Sequence, residues 1–141
     1  MKQHETLLTV RFNEVDSYNV VWHGHYIAYF EAGRLDLCGR FGMSPDDLRG
    51  LGLFAPVVDM RCRLRASAGY GDDLLLKTTV VPAEKAMLTF SFRLYRLPDM
   101  RLLAEGETSH VLLTLENKML YEVPSELASR IAKMMAYLDA E

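Results

Sequence analysis

Residues 10–41 read VRFNEVDSYNVVWHGHYIAYFEAGRLDLCGRF, and this stretch determines most of the architecture that the chain can adopt. It begins with strand-like residues at 10–12, continues through a polar loop that contains Asp16, and passes into a long helical pattern near Gly24. The first N–H groups of a helix have no partner within it, and the helix dipole is positive there. The sequence therefore predicts a carboxylate beside a set of free backbone donors.

The helix that follows is apolar or small around most of its circumference. Two stripes share the helical period: Ile27, Phe30, Leu37, Cys38 and Phe41, and Tyr26, Phe30, Gly33 and Leu37. A helix of this kind is normally buried on nearly all sides. About eighteen residues at ~1.5 Å each give a rod of about 27 Å, which is about the width of a small domain. We therefore expect a sheet to wrap around this helix.

One set of residues resembles the N-terminal signature of hot-dog acyl-CoA thioesterases of the 4-hydroxybenzoyl-CoA thioesterase type: Arg11-Phe12-x-x-x-Asp16-x-x-Asn19-Val20-Val21-x-His23-x-x-Tyr26-x-x-Tyr29-Phe30-Glu31-x-x-Arg34. A looser similarity extends through residues 54–64, 70–72 and 104–106. The resemblance implies an α+β hot-dog fold, in which a five-stranded antiparallel sheet wraps the long central helix and two subunits join their sheets. Asn19 departs from the family, in which many members have glycine; asparagine tolerates a positive φ better than most residues.

Composition limits the class of protein further. The chain has 141 residues, half of them hydrophobic, which fits a single domain over residues 1–141. Sixteen basic and 19 acidic residues give a net charge of −3 without a basic cluster, so a nucleic acid is not an expected partner. No apolar run resembles a signal peptide or a membrane span, so we expect a cytoplasmic protein. Cys38 and Cys62 occupy apolar positions and are expected to be reduced core thiols.

The rest of the chain predicts short strands and a terminal helix. Residues 6–12 alternate as a first strand, with Leu8, Val10 and Phe12 on one face. Further strands are expected at residues 54–65, 74–81, 88–95 and 102–115, with an end at Pro82, a turn at 83–85 and an amphipathic C-terminal helix at 124–138. The strand at 54–65 has a dry face, formed by Met60, Cys62 and Leu64, and a basic face. Strands at hairpin spacing after one helix indicate an antiparallel α+β fold.

Because family-like residues flank it on both sides, the resemblance implies that Asp16 is the catalytic carboxylate. A thioester carbonyl needs little activation, so one carboxylate can act as a nucleophile or as the base for water, provided that the oxyanion is stabilised. Backbone N–H groups around His23 and Gly24 are the expected oxyanion donors. The alternative for Asp16 is a plain turn residue. His23 is the second catalytic candidate, and its alternative is an imidazole that holds the loop.

Other side chains are candidates for binding. The predicted substrate contacts are Asn19, Val21, Trp22, Gly24, Tyr26 and Phe30, although Tyr26 and Phe30 also fit a plain core. For the phosphates of coenzyme A the candidates are Arg61, Arg63 and Lys85, with Arg65 on the same basic face, which also fits a solvated surface. Glu31 and Arg34 fit a helix ion pair. The His-x-His spacing of His23 and His25 does not complete a metal site, so we expect no metal and no cofactor.

The resemblance, together with the placement of Asp16 before the helix start, predicts hydrolysis of an acyl-CoA thioester to a free acid and coenzyme A. The alternatives are a hydratase or dehydratase on the same scaffold and a non-catalytic acyl-CoA-binding module. The expected partners are acyl-CoA and further copies of the chain, as a homodimer or homotetramer, because a small sheet leaves an edge strand that must be covered or paired. The acyl group cannot be read from the sequence because it depends on the depth of the pocket.

Overall fold

A computed structural model of the chain describes residues 2–81 and 85–140. Its elements are β1 (His4–Thr9), a 3-10 turn (Phe12–Glu14), α1 (Gly24–Gly39), α2 (Pro45–Gly50), β2 (Leu53–Phe54), β3 (Val57–Leu64), β4 (Asp73–Val81), β5 (Met87–Leu97), β6 (Arg101–Val111), β7 (Leu113–Thr114) and α3 (Ser125–Asp139). This order confirms the predicted α+β fold. None of the described helices is long and apolar enough to cross a membrane.

The main sheet has five antiparallel strands in the order β1-β4-β5-β6-β3, and α1 packs on its inner face. The ring of Phe30 in α1 stacks on Phe92 of β5, with centroids 4.8 Å apart and an interplanar angle of 3°. Gly33 of α1 lies directly over Leu76 and Thr78 of β4. The predicted arrangement of a sheet around the long helix is therefore confirmed.

Gly106 allows this close packing in the middle of β6. A Cβ atom added there would collide with the carbonyl oxygen of Arg61 and would lie 2.7 Å from Cε2 of Phe30. The first obstacle is backbone and the second is a fully buried ring. Any larger residue must therefore displace either β3 or α1.

The long helix is enclosed on one side only. It spans 16 residues, and its buried residues are Tyr26, Tyr29, Phe30, Gly33, Leu37 and Cys38. Ala28 and Leu35 lie on the opposite side and are exposed. The expectation that a single sheet buries nearly the whole circumference is wrong, because the five strands cover one face of the rod.

Strand β3 is one of the two edge strands of the sheet, and all eight of its residues are exposed. The predicted dry face is therefore open to solvent in the single chain: Met60 is 58% exposed and Leu64 48%. The prediction of a core thiol is wrong for Cys62, which is exposed, and right for Cys38, where burial raises the thiol pKa to about 11. Nothing in the sequence of this strand shows that it has a neighbour on one side only.

The ends of two strands differ from the predictions. The first strand stops at Thr9, because the chain leaves the sheet through the 3-10 turn, and Phe12, expected to face the core, is 76% exposed. The last strand is interrupted at Leu112, after which β7 pairs with β2 instead of continuing in the main sheet. The predicted strand end at Pro82 and the start of the following turn lie outside the described residues.

The predicted C-terminal helix is confirmed as α3, which buries Leu127, Met134 and Leu138. A polar cluster fastens α3 to β1 and α1. His4 lies 2.7 Å from Oδ2 of Asp36 through Nε2 and 2.8 Å from the hydroxyl of Tyr137 through Nδ1. The hydroxyl of Thr6 also donates to Asp36, at 2.8 Å. One buried imidazole thus connects three elements on the side of α1 away from β3.

Candidate active site

Asp16 lies in a small closed loop between the 3-10 turn and α1. Val15 and Val21 pair across the base of the loop as an antiparallel bridge. Inside it, the Asp16 N–H donates to the Val20 carbonyl at 2.9 Å, and the Asn19 N–H donates to the Asp16 carbonyl at 3.0 Å. Asn19 has φ of 62°, which confirms the positive φ expected at this position. Backbone hydrogen bonds therefore fix the position of Asp16.

The carboxylate of Asp16 is only partly engaged. Its Oδ1 accepts the backbone N–H of Tyr18 at 2.8 Å, as is usual for an aspartate in a turn. Its Oδ2 has no hydrogen bond to any residue among 2–81 and 85–140, and the side chain is half-buried. One oxygen thus holds the turn while the other is open to the cleft.

The start of α1 leaves two backbone donors available. The N–H of His25 donates to the Trp22 carbonyl at 2.9 Å, and the N–H of Tyr26 donates to the His23 carbonyl at 3.4 Å. The N–H groups of His23 and Gly24 have no backbone acceptor in the described part of the chain. These are the donors that the sequence predicted, and they lie at the positive end of the helix dipole.

Trp22 covers the helix start. A Cβ atom added to Gly24 would lie 2.5 and 2.7 Å from Cη2 and Cε3 of the Trp22 ring, so only glycine lets the ring pack there. The same ring contacts those of His23 and His25, with centroids 5.0 and 5.6 Å away. Trp22 is 48% exposed and therefore forms an apolar wall beside the two free N–H groups.

The Asp16 loop and the start of α1 border an open cleft of about 410 Å³. Its lining residues are Asp16, Tyr18, Val20, Val21, His23, Tyr26, Leu64, Arg65, Ala66 and Ser67. The structure thus brings together four of the predicted site residues, namely Asp16, Val21, His23 and Tyr26. The Tyr26 ring is fixed there because its hydroxyl accepts the backbone N–H of Ala68 at 3.3 Å.

Four of the six predicted substrate contacts do not line this cleft. Trp22 and Gly24 lie at the helix start, next in sequence to His23, which does line it. Phe30 is fully buried between Phe92 and Gly106, so the plain-core alternative describes it. Asn19 is exposed on the loop and does not line the cleft. Its contribution is the backbone conformation of the loop.

Of the basic residues, only Arg65 lines the cleft. Its Nε lies 3.6 Å from Oε2 of Glu105, a loose ion pair, and its side chain is 45% exposed. Arg61 and Arg63 lie within β3 and line a separate groove with Glu105 and Glu107. Lys85 lines a third groove against α3. The predicted phosphate candidates Arg61, Arg63 and Lys85 are therefore away from the cleft.

Sequence reasoning missed two residues that support the site, Glu14 and Tyr29. Glu14 is 5% exposed and lies two residues before Asp16, and the hydroxyl of Tyr29 donates to it at 3.0 Å. The spacing of Arg11 and Glu14, which form an ion pair, was the available signal. The predicted pair of Glu31 and Arg34 does form, and the side chain of Arg34 is 12% exposed.

The chain belongs to the thioesterase-like superfamily, whose sequence profile matches residues 10–131. The fold and the cleft agree with this class, that of enzymes that hydrolyse thioesters.

The individual relatives share only about a quarter of their residues with this chain. YneP of Bacillus subtilis (strain 168), whose name gives acyl-CoA thioesterase as a provisional activity, is 24% identical over 78% of this chain and 79% of its own length. The chloroplastic acyl-acyl carrier protein thioesterase ATL3 of Arabidopsis thaliana is 23% identical over 97% of this chain and 72% of its own. The structure of a DHNA-CoA thioesterase from Staphylococcus aureus superimposes with a TM-score of 0.86 at 23% identity, covering 96% of this chain and 93% of that one. This similarity confirms the hot-dog fold.

Proposed function

We propose that the protein hydrolyses acyl-CoA thioesters to a free acid and coenzyme A. The observation that carries the proposal is that Asp16 and His23 line one open cleft at the start of α1, where the N–H groups of His23 and Gly24 have no backbone acceptor. The similarity to YneP supports the same substrate class.

In the proposed mechanism the thioester carbonyl oxygen accepts hydrogen bonds from the two free N–H groups. The open Oδ2 of Asp16 attacks the carbonyl carbon, or removes a proton from the water that attacks it. Negative charge then develops on the carbonyl oxygen, where the donors and the helix dipole stabilise it. The carbon–sulfur bond breaks, and coenzyme A leaves as a thiolate that takes up a proton. If Asp16 was the nucleophile, water then hydrolyses the acyl–Asp16 anhydride to the free acid; if Asp16 was the base, the attacking water has already formed the acid. His23, in the wall of the same cleft, is the second proposed catalytic group.

We propose binding roles for the remaining residues at the cleft, some towards the acyl group and some towards the phosphates of coenzyme A. Val21 and Tyr26 offer apolar surface for the acyl group, with Trp22 and Gly24 beside them at the helix start. For the phosphates we propose Arg65, whose ion pair with Glu105 is loose. Arg61, Arg63 and Lys85 can serve only a nucleotide that extends beyond the cleft. The assignment to the 4-hydroxybenzoyl-CoA type is proposed from the signature, the single domain from the length and composition of the chain, and the absence of a metal or cofactor from the spacing of its histidines.

We expect the purified protein to release free thiol from at least one of four acyl-CoA classes: short, medium, long and aryl. A thiol reagent measures the release directly. Background rates with every substrate would contradict the proposed function. A change in the acyl group without thiol release would instead indicate a hydratase, and binding of coenzyme A without either reaction a non-catalytic module.

We further propose that β3 joins two copies of the chain, as a homodimer or a dimer of dimers. Its eight exposed residues include four large apolar ones, and an unpaired edge of this kind is a template for another strand. Antiparallel pairing of β3 with a second β3 brings the middles of the two strands together around a two-fold axis.

We expect wild-type protein to sediment as a dimer or tetramer at micromolar concentration and Met60→Lys to dissociate. The substitution puts like charges together at the middle of β3, where Met60 is 58% exposed. Met100→Lys is the matched control, because Met100 is 43% exposed in the turn between β5 and β6. A monomeric wild type would refute this interface.

A further inference from the structure

Glu14 is a buried carboxylate that holds together the two sides of the Asp16 loop. Its Oε1 accepts the backbone N–H of Arg11 at 2.8 Å and the hydroxyl of Tyr29 at 3.0 Å. Its Oε2 accepts Nε and Nη2 of Arg11 at 3.2 and 3.0 Å. Burial acts to raise the carboxyl pKa, but these hydrogen bonds outweigh it and the pKa is lowered. The group is therefore an anion surrounded by donors.

The backbone of Glu14 is tied to the same loop. Its carbonyl accepts the N–H of Trp22 at 2.9 Å, just outside the bridge between Val15 and Val21. The main chain at Glu14 is thus hydrogen-bonded to Trp22, so the residues that precede the loop are joined to those that follow it, immediately before α1. Its side chain reaches further, to Tyr29, which lies in the second turn of α1.

This arrangement links the carboxylate of Asp16 to its proposed oxyanion donors. Asp16 follows the 3-10 turn, whereas the donors, His23 and Gly24, are the N-cap and the first residue of α1. The bond between Glu14 and Tyr29 is a side-chain connection between those two segments, and it is buried. A displacement of about 1 Å between reacting groups can lower a rate by 10²-fold.

We propose that Glu14 is a positioning residue, which through Tyr29 holds Asp16 at the working distance from the N–H groups of His23 and Gly24. Glu14 does not line the cleft, so it acts on turnover rather than on substrate binding. The inference rests on the proposed thioesterase function.

The test compares kcat and KM of the full-length wild type, Tyr29→Phe and Glu14→Gln with an acyl-CoA that the wild type hydrolyses. Tyr29→Phe removes only the hydroxyl that connects Glu14 with α1. Glu14→Gln keeps the shape but turns a donor towards the guanidinium of Arg11. We expect kcat to fall by about 10-fold or more in both, with KM changed by less than about 2-fold.

Tyr137→Phe is the matched control, because it also removes one hydroxyl bound to an ionisable side chain, His4, on the far side of α1. All variants are compared well below their melting temperatures, and the control should keep its kcat even if its stability falls equally. If Tyr29→Phe turns over as fast as Tyr137→Phe, the inference is overturned, even if Glu14→Gln does not fold. Loss of activity that appears wholly in KM would also overturn it. A wild type inactive on all acyl-CoAs would overturn the proposed function and this inference with it.

Discussion

Asp16→Asn should lower kcat by at least about 10²-fold, nearly 3 kcal/mol in the activation barrier. Asparagine can neither attack the carbonyl effectively nor accept a proton from water. It can still accept the N–H of Tyr18 through its side-chain oxygen, as Asp16 does at 2.8 Å, and the backbone bonds of the loop do not involve the side chain. We therefore expect nearly unchanged substrate binding and melting temperature.

The control for this variant is Asp72→Asn. Asp72 is also a turn carboxylate, which accepts the N–H of Gly69 at 2.8 Å, but it does not line the cleft. We expect Asp72→Asn to keep the wild-type kcat. If Asp16→Asn is equally stable and retains more than about a tenth of the turnover, its barrier has risen by less than about 1.4 kcal/mol, and the proposed mechanism is excluded.

Gly106→Ala should destabilise the fold by at least about 2 kcal/mol, because the added methyl group must displace either the backbone of β3 or the ring of Phe30. For a domain of this size we expect the melting temperature to fall by about 6 °C or more. Thermal unfolding followed by circular dichroism measures this fall.

Gly39→Ala provides the opposite expectation from the same chemical change. No heavy atom lies within 4 Å of a Cβ added to Gly39, at the end of α1. Alanine in a helix is favoured over glycine by up to about 1 kcal/mol, so this variant should be as stable as the wild type or slightly more stable. If Gly106→Ala proves as stable as Gly39→Ala, the close packing of α1 on β6 is not as described.

The parts of the fold predicted correctly are those encoded by local patterns. The period of α1, the alternation of the strands and the stripe of α3 each follow from consecutive residues. The failures concern neighbours in space. Nothing in the alternation of Met60 and Leu64 shows that β3 is an edge strand, and nothing local shows that Phe12 leaves the sheet. Edge position and register depend on pairings between distant segments.

In the candidate site, too, the residues that are close in sequence could be predicted and those brought together by tertiary structure could not. Asp16, Gly24 and the helix start are close in sequence, so their proximity could be predicted. Arg65 lines the cleft because it follows the end of β3, where the chain passes the Asp16 loop, whereas Arg61 and Arg63 lie within β3 and line a different groove. Glu14 was missed because its role depends on Tyr29, which reaches it only after α1 has folded back over the loop.

The packing of Trp22 over Gly24 means that the intrinsic tryptophan fluorescence of the protein reports on the helix start. Trp22 is the only tryptophan of the chain, so all indole fluorescence originates beside the proposed oxyanion donors. Its ring is half exposed, and its emission wavelength should respond when an acyl group displaces water from it. A titration followed at this one fluorophore therefore measures occupancy of the cleft without turnover, including in the Asp16→Asn variant, where hydrolysis no longer consumes the ligand.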